Sequence, residues 1–205
     1  MSIFVVSVLL LKVSNNIMNL NIFELHGSWT GVLVEANPTA FAALKFSGRN
    51  RADLVNAAPA CNATSSVRIR NHKFTSAALT SENDPDIQHS SKVPCISLTS
   101  LLESLVPKSL SGNPQIDFFS LDVEGAEDLV LSTVDFDKLS LPLLLIESVN
   151  RQCPERKCPK RDAVRERMIM NGYMFDASVP SSDLFWKIEL MRVRPHKHQS
   201  KSQLL

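Results

Sequence analysis

The sequence predicts an α/β fold: a mostly parallel sheet with helices on both faces. Three observations point there. Short apolar runs alternate with segments of helical period along one chain, the order that builds parallel sheets. Residues 31–36 and 143–146 are continuous apolar runs of strand length, as in strands buried on both faces. Several runs end in a carboxylate or an amide, namely Glu35, Asn56, Asp122 and Glu147. Ligand sites of open α/β sheets lie beyond the carboxyl ends of the strands, so these four side chains are expected along one rim.

The elements follow in order. Residues 3–13 are strand-like. Ile17, Leu20, Phe23 and Leu25 fall at helical spacing and Gly27 closes that helix. Residues 31–36 form a strand. Asn37-Pro38 opens a helix, with Pro at an early helical position and Phe41 and Leu44 behind it. Residues 53–57 are a short strand, and 67–70 alternate as an edge strand. Residues 75–92, rich in Ser, Thr, Asn and Asp, read as a surface excursion. Residues 97–106 are a helix with Leu98, Leu101, Leu102 and Leu105 on one face. Residues 116–121 are the strongest strand, followed by a helix over 124–134. Residues 143–146 make a strand, 151–160 a Cys/Pro/charged loop, and 161–171 an amphipathic helix with Val164, Met168 and Ile169 inward. Residues 173–179 and 184–190 are a closing strand pair. No internal repeat and no linker divides the chain.

With 205 residues, 44% hydrophobic and 21% charged, the chain is an ordinary single domain with a core. A net charge of +1 provides no field to draw in nucleic acid. Residues 192–205 are a basic, solvated tail. Residues 1–14 are an atypical apolar start; nine largely apolar residues are too few to span a bilayer, which needs about 20. They read as a buried strand or as a signal or anchor remnant. Cysteines stand at 61, 95, 153 and 158; Cys153 and Cys158 are spaced for a small loop disulfide, not for zinc. Asn62-Ala63-Thr64 is an N-glycosylation acceptor triplet. The five histidines are dispersed, and no metal site is expected.

The candidate chemistry concentrates at the rim. A carboxylate such as Glu35 offers two acceptor oxygens to a vicinal diol, as on a ribose; the alternative is a partner for the dipole of the next helix. Asp122 ends the strongest strand, where it is placed to hold a cationic group or orient a hydroxyl. Glu124 and Glu127 suit either that site or the first turn of a helix.

The segments Gly-Ser-Trp-Thr-Gly-Val-Leu-Val-Glu-Ala-Asn-Pro (27–38), Val-Asn-Ala-Ala-Pro-Ala-Cys (55–61) and Ile-Asp-Phe-Phe-Ser-Leu-Asp-Val-Glu-Gly-Ala-Glu (116–127) resemble the FkbM-type methyltransferase family. The likeness runs over residues 15–191, the domain between the apolar start and the tail. Cys61 and Val-Pro-Cys95-Ile-Ser-Leu resemble its Star-like animal branch, whose members sit in the secretory pathway. The resemblance implies a Rossmann-like class I methyltransferase sheet of seven strands and S-adenosylmethionine-dependent transfer of a methyl group to an oxygen. By motif it implies Glu35, Ala36, Asn37, Asn56, Ala57 and Asp122 at the cofactor, and Asp122, Glu124 and Glu147 as catalytic candidates. The acceptor would be a small-molecule or glycan hydroxyl.

One departure matters. The family's first strand ends in a glycine-rich turn, where the absent Cβ lets the cofactor approach the backbone. Here Val-Leu-Leu-Leu-Lys-Val-Ser stands in its place, and no glycine precedes Gly27. The first strand and its loop are therefore expected to be missing or replaced, as in a truncated form, with weakened cofactor binding. Two functions follow as expectations. One is an FkbM-type O-methyltransferase. The other is a non-catalytic Star-like protein, lumenal or membrane-associated, that binds protein cargo; a cytoplasmic location is the alternative to both.

Overall fold

The computed structural model describes residues 4–9, 29–70, 78–79, 87–109, 112–147, 158–179 and 181–191. Ten strands and five α-helices lie among them. The strands are β1 (Phe4–Leu9), β2 (Thr30–Glu35), β3 (Ala52–Val55), β4 (Ala60–Arg70), β5 (Ala78–Leu79), β6 (Ser90–Ser97), β7 (Phe118–Asp122), β8 (Leu143–Glu147), β9 (Tyr173–Val179) and β10 (Ser182–Lys187). The helices are α1 (Pro38–Lys45), α2 (Leu98–Leu105), α3 (Glu127–Leu131), α4 (Pro159–Met170) and α5 (Ile188–Met191).

Seven strands form one sheet in the order β3-β2-β1-β7-β8-β10-β9. The segment from β3 to β8 is parallel throughout, and β10 and β9 run antiparallel to their neighbours. A second sheet, β5-β4-β6, is wholly antiparallel. This corrects the expected fold class. The structure is strand-rich and mixed, not a mostly parallel Rossmann-like sheet: among the described residues four ladders are parallel and four antiparallel. The physical reasons are local. Two residues separate β9 from β10, a connection that permits only a hairpin. The polar stretch over 60–97, expected to give one edge strand and an excursion, instead folds back on itself as β4 and β6. The expected loss of the first strand is also corrected. Phe4–Leu9 fills the middle of the large sheet, parallel to β2 on one side and to β7 on the other. The helix expected over 15–25, the glycine-turn position and most of the 151–160 loop lie outside the described residues, as do the tail beyond Met191 and Cys153.

Two helices start where the sequence provides a side-chain cap. Asn37 caps α1: its Oδ1 accepts from the backbone N–H of Thr39 (2.8 Å) and Ala40 (3.3 Å), with Pro38 in the first turn. Ser97 caps α2 by accepting from Ser100 N–H at 3.0 Å. The leucines of α2 then bury Leu98, Leu101 and Leu102 against the sheet. In α4, Val164 and Met168 are buried, but Ile169, expected inward, is 62% exposed. The Asn171-Gly172 stop acts as read, with Gly172 at φ 79°.

The main core packs Phe119, Leu121, Leu144, Ile146 and Phe185 of the sheet against Leu98, Leu102, Val164 and Met168 of the helices. Burying each such side chain contributes about 1.5–3 kcal/mol. A second cluster of Ala36, Ala58, Ile69, Val93 and Cys95 joins the small sheet to the end of β2. The Cys61–Cys95 disulfide crosses this junction from β4 to β6, with Cα atoms 5.5 Å apart. Cys158 is disulfide-bonded as well, and no described cysteine is free. Thr133 ties the segments flanking the small sheet to the end of α3: its hydroxyl lies within donating distance of the Val130 (2.8 Å) and Pro59 (3.3 Å) carbonyls and accepts from Leu98 N–H (3.0 Å).

Candidate functional site

The parallel part of the large sheet sets the rim. Leu9, the last residue of β1, pairs with Glu35 on one side and with Asp122 on the other. The two acids therefore end strands flanking β1, with backbones about 10 Å apart, twice the inter-strand spacing. Val34 pairs with Val55, so Asn56 leaves β3 beside Glu35. Leu121 pairs with Ile146, so Asp122 and Glu147 end neighbouring strands. Glu35, Asn56, Asp122 and Glu147 thus stand along one edge of one sheet.

On the β2–β3 side the groups hold one another. Glu35 is fully buried and its Oε1 accepts the Asn37 N–H at 2.6 Å. The Asn56 side-chain amide donates to the carbonyls of Glu35 (2.8 Å) and Ala36 (3.2 Å), tying the end of β3 to the end of β2. Ala36 and Ala57 are buried. The Asn37 side chain is engaged as the α1 cap, so three predicted cofactor residues also build the local scaffold.

On the β7–β8 side the chain turns sharply after Asp122. Glu124 has φ 52° and Gly125 φ 100°. Glycine adopts that conformation freely; glutamate does so at a cost of order 1–3 kcal/mol. Glu127 makes the turn hold: its buried Oε1 accepts from Val123 N–H (3.1 Å) and Gly125 N–H (2.9 Å). Burial raises the Glu127 pKa, against the lowering effect of those backbone donors. The left-handed pair delays the helix expected from residue 124 until Glu127.

Glu147 faces this turn. Its pKa is pushed up to about 9, first by burial, then by the charge of Asp122 and a hydrogen bond with it, then by Glu124 and Glu127. Asp122 Oδ1 and Glu147 Oε2 are buried with no ordinary donor. A proton held on buried Glu147 is what a carboxyl group beside the half-buried Asp122 requires. The arrangement can accept a further donor or cation, and Glu147 can take up or release one proton near pH 9. Among the described residues no group of His, Cys, Asp or Glu is arranged to hold a metal ion.

Two arrangements escaped the sequence reading. Glu127 was weighed as a helix acid, and nothing in the spacing told that it would staple the turn. Asp183, buried on β10, accepts from Arg161 (3.2 and 3.0 Å), Arg165 (2.6 and 3.0 Å) and Ser178 (2.8 Å). Burial raises its pKa, but the hydrogen bonds from Arg165, Arg161 and Ser178 outweigh that and bring it down to about 2. Arg161 and Arg165, four apart on α4, were the available signal.

No protein-family model matches this chain, and no curated protein matches it. Among the described residues no helix is long and apolar enough to cross a membrane.

Proposed function

We propose that the rim formed by Glu35, Asn56, Asp122 and Glu147 binds S-adenosylmethionine and a hydroxyl acceptor, and that the chain is a methyltransferase of FkbM type. The observation that carries this reading is the Asp122–Glu147 pair, with buried acceptor oxygens that lack a donor, two strands from a buried Glu35. Such a set of acceptors fits a cofactor with a ribose diol at one end and a cationic methionine part at the other.

In this reading Glu35 receives the ribose hydroxyls. Asn56 and Ala57 flank the adenine, and Ala36 and Asn37 fix the backbone beside it. Asp122 orients the acceptor hydroxyl and takes its proton, becoming neutral, while protonated Glu147 steadies the Asp122 carboxylate before that transfer. The bound cofactor supplies the electrophilic methyl group. The strained Glu124-Gly125 turn holds Asp122 in place, so orientation contributes most of the rate.

Calorimetric titration with S-adenosylmethionine tests it. The full chain is expected to bind with a Kd between micromolar and millimolar, and Glu35→Gln and Asp122→Asn to weaken binding at least tenfold. No heat at millimolar ligand overturns the reading.

A second reading has its own support. A disulfide linking β4 and β6 and a bonded Cys158 suit an oxidising compartment, the setting of the Star-like, non-catalytic alternative with a protein cargo. Protease protection in microsomes tests it; complete digestion in intact vesicles rules it out.

A further inference from the structure

The triplet Asn62-Ala63-Thr64 lies in an irregular part of the fold. In the β4–β6 ladder Ala60 pairs with Ser97 and Ser65 pairs with Cys95, so five steps along β4 match two along β6. Residues 61–64 stand opposite the single residue Ile96, a surplus of three, and have no ladder partner on β6. The chain there bulges from the sheet with its backbone groups released. Asn62 and Ala63 are exposed, and no hydrogen bond is made by the Asn62 side chain among the described residues. The bulge is anchored at its near end, since Cys61 is tied to the buried Cys95. Asn62 borders an open polar groove with Ser97, Ser100, Glu103 and Asp135, so attached sugars would rest on hydrophilic ground.

We propose that Asn62 is an N-glycosylation site. The modification requires an extended, accessible Asn-x-Ser/Thr whose backbone is free to enter a transferase cleft. The bulge supplies all three conditions. It also requires a compartment where disulfides form, and the adjoining Cys61–Cys95 bridge meets that. In the step, the Asn62 amide nitrogen loses a proton and bonds to the anomeric carbon of an oligosaccharide. The anomeric carbon–oxygen bond to a polyprenyl pyrophosphate donor breaks, and the pyrophosphate leaves with the electron pair. The chain carries an internal contrast. Asn37-Pro38-Thr39 has the same outer residues, but Pro occupies the middle position and the Asn37 side chain is buried as the α1 cap. Of the two, only Asn62 is chemically open.

The experiment expresses the full chain in animal cells and treats the lysate with peptide N-glycosidase. One mobility step is expected on treatment, with Asn62 read as Asp in the peptide mass spectrum afterwards. Asn62→Gln and Thr64→Ala are expected to lose the step, Thr64→Ser to keep it, and Asn37→Ser to leave it unchanged. No step in the wild-type chain, or a step that persists in Asn62→Gln, overturns the proposal. Thr64→Ser also guards against misfolding: it preserves the hydroxyl, so loss of the step there counts against the site as well.

Discussion

Asp122 and Glu147 form a carboxyl pair at the carboxyl ends of neighbouring parallel strands, and each keeps one buried oxygen, Asp122 Oδ1 and Glu147 Oε2, that no donor reaches. Two like charges in such a place cannot both form without large cost, so one proton stays with the pair. The chain keeps this expensive arrangement beside a turn that itself holds a glutamate in a left-handed conformation. Uncompensated acids and backbone strain in one place mark a site shaped for something other than stability.

The first prediction concerns pH. Glu147 ionises near 4.5 in the unfolded chain and near 9 in the folded one. A raised carboxyl pKa means the folded state holds the extra proton. The stability it confers is complete below 4.5 and is lost as pH rises toward about 9. Thermal melts across that range should show Tm falling with pH. Glu147→Gln, which cannot ionise, should flatten the profile; an identical slope in the variant would refute the shared proton.

The Glu124 turn separates fold from site. Asparagine tolerates φ 52° better than glutamate does, so Glu124→Asn should leave Tm equal or slightly higher. Gly125 at φ 100° has no such substitute, and Gly125→Ala should cost about 1 kcal/mol or more. If Glu124 serves ligand binding, its Asn variant should weaken S-adenosylmethionine binding severalfold while melting normally. A variant that binds as well as wild type would make the strain a packing accident.

Much of this was legible from residues whose local and tertiary preferences agree. The apolar run ending at Glu35, the run ending at Asp122 and the run ending at Glu147 each became a strand of the large sheet. Asn37-Pro38 and Asn171-Gly172 delimited helices because caps act within a few residues. The small sheet was illegible for the opposite reason. Cys61-Asn-Ala-Thr-Ser-Ser66 is polar and without alternation, and among the described residues it is tied to β6 only by the ladder at Ser65 and Ser66 and by the disulfide. The direction of β10 also lay beyond the sequence, because a strand's polarity in a sheet is set by connection lengths and neighbours. The Asp183 cluster joins α4 to β9 and β10, contacts that no spacing along one helix announces.

That cluster should behave as a structural unit. Asp183 is buried under two bidentate arginines, and Arg165 also lies over the Phe175 ring at 4.3 Å. Replacing it by asparagine leaves two guanidinium groups facing each other without a counter-charge. Breaking a buried pair this way costs about 3–5 kcal/mol. Asp183→Asn should lower Tm by roughly 6–20 °C on that basis. Its pKa, brought down to about 2, is below the ordinary 3.8, so its stabilisation is present above 3.8 and fades as pH falls toward 2. By contrast Arg167→Ala, which breaks the half-exposed Arg167–Asp128 bridge, should cost no more than about 1 kcal/mol. Equal losses in the two variants would show that burial does not distinguish them.

The Cys61–Cys95 bridge closes a span of 34 residues that includes the polar stretch between β4 and β6. Loop-closure entropy for that length gives about 4 kcal/mol of stabilisation through the unfolded state. The bridge also fixes the near end of the bulge, where the ladder slips between Ala60 and Ser65. Removing both sulfurs with Cys61→Ala and Cys95→Ala should therefore lower global stability by about 2–4 kcal/mol in denaturant melts. It should also raise hydrogen exchange over 60–70 and 90–97 more than in β7 and β8, whose ladders are packed in the main core. Reduction of the wild-type chain, which also opens the Cys158 disulfide, should lower stability at least as far as the double variant. If exchange rises equally throughout, the disulfide stabilises the molecule as a whole and leaves no separate hold on the small sheet.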